Sequence, residues 1–114
     1  MTTPGDPLWL FSYGTLRQAD VQRSVFGREL AEEPDLLRGF EVRQIQLGDG
    51  RGGVATYPIL RRAADPSREV AGAALAIRRH DLAPADAYEG RAYRRIEVVL
   101  GSGRTAFVYV DAAG

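Results

Sequence analysis

A carboxylate falls where an apolar residue belongs in the stretch 80–89, which reads HDLAPADAYE. The spacing predicts a helix with Asp81 at its cap and Gly90 just past its end. Leu82 and Ala85 mark its inward stripe, and Glu89 stands two turns on from Leu82 on that stripe. Glu89 also lies in the last turn, beside the negative end of the helix dipole. Both positions disfavour the charged form and push the pKa upward, which suits a general acid/base. The same residue also reads as a solvated glutamate at a helix end, or as a partner for Arg91, Arg94 or Arg95.

A second candidate is the turn Tyr13-Gly14-Thr15-Leu16-Arg17. A glycine directly after a buried strand lets the backbone bend sharply. The amides of Gly14, Thr15 and Leu16 could then converge on a carboxylate or a developing oxyanion. An ordinary strand-to-helix turn, with Tyr13 filling core, fits the same letters. The third candidate is the pair Tyr93 and Arg95, which share one face of a strand and follow Glu89 closely. They read either as a hydroxyl and a guanidinium aimed at one cavity or as a cross-strand surface pair. Tyr109 reads as core and His80 as a helix-start residue.

Composition narrows the chemistry. The chain has no Cys, so no thiol nucleophile or thiolate metal site. All fifteen basic residues are Arg, which removes Schiff-base chemistry and a P-loop lysine. With a single His, neither a His-based zinc site nor a catalytic triad has much to rest on. Carboxylates, Tyr, Ser/Thr, Arg and backbone amides remain, and no metal or cofactor is expected. Fifteen basic and fifteen acidic residues cancel, which argues against nucleic acid as a partner. No apolar run approaches the roughly 18–20 residues of a membrane span. The N-terminus lacks the charged and apolar regions of a secretory signal, so a cytoplasmic protein is expected.

The elements that must position these residues are short. At 114 residues with 45% hydrophobic content, one domain over 1–114 is expected, with 1–7 as a tail. The run 8–13 reads as a strand buried on both faces. Residues 20–30 read as a helix capped by Asp20 that Gly27 can end early. Residues 36–47 read as one strand with a register break, and 48–53 as a glycine-rich loop able to close over a site. The segment 54–60 reads as a strand with Pro58 at an edge or start. Residues 69–77 form a further strand, and 93–100 and 105–110 a hairpin. About six strands and two helices give an α+β chain, and so many short strands favour a closed or nearly closed sheet.

In order, these pieces resemble the gamma-glutamylcyclotransferase-like superfamily, in its short, bacterial-type branch. Phe11-Ser12-Tyr13-Gly14-Thr15-Leu16-Arg17 is similar to its "YGTL" signature, and Tyr57-Pro58-Ile59 to its "YP" element. Asp86-Ala87-Tyr88-Glu89-Gly90 with Tyr93-Arg94-Arg95 resembles its "D-x-x-E…Y-x-R" segment, and Ala106-Phe107-Val108-Tyr109-Val110 its closing strand. The resemblance implies a small mixed β-barrel with two flanking helices and a cavity at one end. It implies that the turn from Tyr13 to Leu16 supplies amides to the substrate and that Glu89 is the catalytic acid/base. The substrate would be a gamma-glutamyl amide, cyclised to 5-oxoproline by attack of its own alpha-amine, with no cofactor. A nucleophile inside the substrate agrees with a chain lacking Cys and Lys. A non-catalytic small-molecule-binding or protein-interaction domain that keeps the cavity is the alternative. A monomer or weak homodimer is expected.

Overall fold

The computed structural model describes residues 8–48 and 50–113; the expected tail 1–7 and Asp49 of the glycine loop lie outside them. Strand β1 (Leu8–Ser12) leads through a single 3-10 turn (Thr15–Arg17) into helix α1 (Ala19–Phe26). Strands β2 (Glu32–Arg38), β3 (Phe40–Gly48), β4 (Val54–Arg62) and β5 (Glu69–Ile77) follow. Helix α2 (Leu82–Glu89) and the hairpin of β6 (Tyr93–Val99) and β7 (Thr105–Asp111) complete the chain.

The architecture is α+β. Five strands form one sheet in the order β2-β5-β1-β7-β6, and β3 and β4 pair as a separate ribbon. β1 runs antiparallel to β5 and parallel to β7, so the first strand is sealed between two others. Its residues alternate between two cores. Leu10 packs with Leu75, Ile77, Leu82 and Ala85 on the helix side. Phe11 packs with Phe40, Leu60, Val70 and Val108 on the ribbon side. The apolar run 8–13 is therefore two-faced because helices cover one side of the sheet and the β3–β4 ribbon the other. The ribbon folds over the sheet without hydrogen-bonding it shut, so the barrel is incompletely closed.

Among the described residues there are seven strands rather than about six. The stretch 36–47 is two strands, because Gly39 takes a left-handed φ of 81° and turns the chain from sheet to ribbon. Its N–H donates to the Arg68 carbonyl at 2.7 Å, which fixes the corner. Pro58 lies within β4 and not at its start, and is tolerated because β4 pairs on one side only.

Gly72 on β5 sets how β1 ends. A Cβ there would meet the Ser12 carbonyl oxygen at 2.5 Å and the Phe11 ring at 2.7 Å, so only glycine permits this approach. The cap of α1 differs from expectation. Asp20 is inside the first turn of α1, whose cap residue is Gln18, and the helix ends at Gly27 with φ 77°. Asp81 is the N-cap residue of α2 as expected, but its side chain makes no cap hydrogen bond there; its carboxylate accepts from the Arg78 N–H and from both Arg28 terminal nitrogens, tying the segment after α1 to the start of α2.

Candidate functional site

Where β1 leaves the sheet, the helix layer and the ribbon part around a cavity of about 500 Å³. Tyr13, Gly14, Thr15 and Leu16 form one wall, Tyr88 and Glu89 of α2 a second, and Tyr93 and Tyr109 of the hairpin a third. Tyr57, Pro58, Leu47 and Gly48 bring the ribbon to its rim.

The turn is built from the inside. Buried Gln22 of α1 donates to the Leu16 carbonyl at 2.9 Å and accepts from the Leu30 N–H at 2.8 Å, so the helix holds the turn against the sheet. The Arg17 N–H closes onto the Gly14 carbonyl. The Gly14 N–H makes a long bond of 3.3 Å to the Ser12 hydroxyl. Among the described residues, neither the Thr15 nor the Leu16 N–H has an acceptor. A side chain at Gly14 would touch nothing, so its absence leaves room for whatever enters the cavity.

Glu89 is half-buried at the end of α2, and among the described residues no hydrogen bond or ion pair reaches its carboxyl. Burial alone raises its pKa from 4.5 to about 7. No arginine neutralises it. Arg95 lies outside the cavity lining: its Nε is 3.5 Å from Asp86 Oδ1 and its guanidinium stacks over Phe107. The shared face of Tyr93 and Arg95 is as expected, but two residues along a strand is nearly 7 Å, enough to carry the guanidinium past the cavity.

The tyrosine hydroxyls are tied to the protein. Tyr93 donates to the Pro58 carbonyl at 3.0 Å, and Tyr13 to the same oxygen at 3.4 Å, which pins the ribbon to the sheet. Tyr109 donates to Asp86 Oδ1 at 2.6 Å. The Thr15 and Tyr88 hydroxyls lie 2.6 Å apart. Burial raises the pKa of Tyr13, Tyr93 and Tyr109, reinforced by Glu89, by neighbouring tyrosines at Tyr13 and Tyr93 and by Asp86 at Tyr109, so these three stay neutral. Sequence spacing does not mark Tyr57, Tyr88 or Tyr109 as site residues, yet all three line the cavity. The adjacency of Tyr88 to Glu89 at a helix end was the available signal. Among the described residues no cluster of three or more His, Asp or Glu could hold a metal, and no helix is long and apolar enough to cross a membrane.

A family model described as gamma-glutamyl cyclotransferase, AIG2-like, matches residues 10–113. No curated protein matches the sequence. Among solved structures, two Arabidopsis thaliana proteins determined in solution superpose with TM-scores of 0.72 and 0.74 at 20% and 22% identity. The match to the first covers 99% of this chain and 67% of that one, and the match to the second 96% and 72%. A structure titled gamma-glutamyl cyclotransferase superposes with a TM-score of 0.75 at 18% identity, covering 94% of this chain and 68% of that one. At such identities the likeness is one of fold.

Proposed function

Because the chain belongs to the gamma-glutamyl cyclotransferase, AIG2-like family, we propose that it cyclises a gamma-glutamyl amide, releasing 5-oxoproline and a free amine. Glu89 is the general acid/base. The alpha-ammonium of the substrate gives a proton to the Glu89 carboxylate. The freed amine attacks the gamma-carbonyl carbon, and the carbonyl electrons move onto oxygen. Collapse of that tetrahedral species breaks the bond to the leaving nitrogen, which takes a proton from Glu89, and the surplus proton on the ring nitrogen passes through Glu89 to the released amine, which departs as an ammonium. Atoms balance without water or a cofactor.

The single observation that carries this reading is an unpartnered, burial-shifted carboxyl in the lining of a cavity that the turn of Tyr13, Gly14, Thr15 and Leu16 also lines. A pKa near 7 lies close to the roughly 8 of a free alpha-amine, so transfer in either direction is nearly level. Ring closure within one molecule already enjoys a high effective concentration. The enzyme therefore needs to fold the substrate, move the proton and steady the oxyanion. The unsatisfied Thr15 and Leu16 N–H groups suit the last task. Tyr93, fixed by Pro58, is a wall against which the substrate chain lies.

The test is incubation with a panel of gamma-glutamyl amides and dipeptides, with 5-oxoproline as the readout. Product from at least one member, lost in Glu89→Gln with the fold intact, is the expected result. Binding without product would transfer the protein to the alternative class, a cavity-bearing domain without turnover.

A further inference from the structure

All five tyrosines of the chain line the cavity. Tyr13 and Tyr93 spend their hydroxyl protons on the Pro58 carbonyl of β4. Tyr88 shares its proton with the Thr15 hydroxyl. Tyr109 is different, because its acceptor is a carboxylate on the same helix as Glu89, one turn earlier. That carboxylate, Asp86, has the Arg95 Nε beside it at 3.5 Å, and the Arg95 Nη1 is buried with no hydrogen-bond partner. Stacking over Phe107 holds the guanidinium in place. Arg95 and Tyr109 thus converge on the same Asp86 oxygen, Arg95 from outside the cavity and Tyr109 from its wall.

We propose that Asp86 is a positioning residue: it takes up the Tyr109 hydroxyl proton, so that the phenolic oxygen meets the Glu89 carboxyl and the ligand amine as an acceptor. The inference deepens the functional reading above and rests on it for the reaction Asp86 serves. Its physical basis is the proton count of the site. A hydroxyl that donates to a carboxylate stabilises the charged form and makes it a weaker base. Tyr13 after β1, Tyr93 on β6 and Tyr109 on β7 line the cavity together with Glu89 and feel its charge. The first two are held by Pro58 and the third by Asp86. With all three protons committed elsewhere, Glu89 stays the one proton-exchanging group on the wall, and the oxygens around it offer lone pairs to an ammonium.

Asp86→Leu and Asp86→Asn separate charge from hydrogen bonding. Both remove the negative charge, but the Asn side-chain oxygen still accepts from Tyr109, whereas Leu frees the hydroxyl to turn toward Glu89. The readouts are the Glu89 titration midpoint, followed by carbon NMR of side-chain-labelled glutamate, and the pH profile of 5-oxoproline release. Asp86→Leu is expected to lower the midpoint by about one unit more than Asp86→Asn does, with the acid limb of the rate profile moving equally. In a Tyr109→Phe background that excess disappears. Equal midpoints for Leu and Asn overturn the proposal. Should Asp86→Leu not fold, Tyr109→Phe alone decides. It leaves the midpoint at or below the wild-type value if Asp86 holds the proton and raises it by about a unit if Tyr109 donates to Glu89. The NMR readout needs no substrate. A chain that yields no 5-oxoproline yet shows these midpoints keeps the positioning role and loses the reaction.

Discussion

Asp35 and Glu89 are both carboxylic acids withdrawn from water, and the structure treats them in opposite ways. Asp35, on β2, accepts from the Leu36 and Ser102 N–H groups at 2.9 and 3.1 Å, from the Ser102 hydroxyl at 2.5 Å and from Arg104 at 3.0 Å. Arg104 itself stacks over Trp9. Burial pushes the Asp35 pKa up, but the Ser102 hydroxyl, the two amides and Arg104 outweigh it and hold the group below its usual value. Glu89 has the burial and none of the partners, so its pKa moves the other way. Desolvation by itself does not tell a structural acid from a reactive one. The number of donors brought to the carboxyl does. Asp35 anchors the β6–β7 turn against the sheet edge, whereas Glu89 is left with free oxygens toward a cavity.

The sharpest break in that comparison is Glu89→Gln. Turnover should fall by about 10²–10⁴-fold or more, while far-UV circular dichroism and cooperative unfolding are retained. Measurement of 5-oxoproline against folded protein concentration checks it, and a fully active Gln variant ends the assignment of Glu89.

Asp35→Ala is the mirror experiment. It strands the Ser102 donors and Arg104, and unfolding free energy should drop by about 2–4 kcal/mol. Urea titration reads the loss, and the turnover of the folded fraction should be unaltered. A large activity loss in folded Asp35→Ala would show that the two regions are not separate.

Acidity sharpens the contrast further. In the folded chain Glu89 keeps its proton up to about pH 7, while in the unfolded chain it ionises near 4.5. The stability from this group is therefore fully present below pH 4.5 and is lost as pH rises through 7. Asp35 and Asp81 have the reverse sign, present above 3.8 and lost as pH falls through their lower folded values. Relative to wild type, Glu89→Gln should gain stability between pH 4.5 and 7, on the order of 1–2 kcal/mol after allowance for partial exposure. A pH-independent difference in melting temperature between the two proteins would refute the shift. The smallest effect is expected of Tyr88→Phe. Losing one exposed hydroxyl pair with Thr15 should change stability by no more than about 0.5 kcal/mol and raise KM a few-fold with kcat unchanged, as steady-state assays would show.

How much of this was legible beforehand differs by element. The two-faced β1, the hairpin and the Glu89 stripe were readable because apolar spacing reports burial directly. β2 was not, because its first half is Glu32-Glu33-Pro34-Asp35, polar residues on an edge strand with no alternation to mark it. Nor could the ion pair of the α2 cap residue Asp81 be foreseen, since its partner Arg28 lies 53 residues earlier in the chain, just after α1. The same reason hid Tyr57 and Tyr109 from the site. Their places depend on a ribbon and a sheet meeting, and no local pattern records that meeting.

The parallel pairing of β1 with β7 also has a consequence for biosynthesis. Strand β1 acquires its second neighbour only after residues 105–111 have been made. Nascent chains arrested before that point would expose the hydrogen-bonding edge of Leu10, and its amide protons should exchange freely until synthesis has passed them. Co-translational assembly of this sheet is therefore governed by β7, and the cavity turn that follows β1 matures with it.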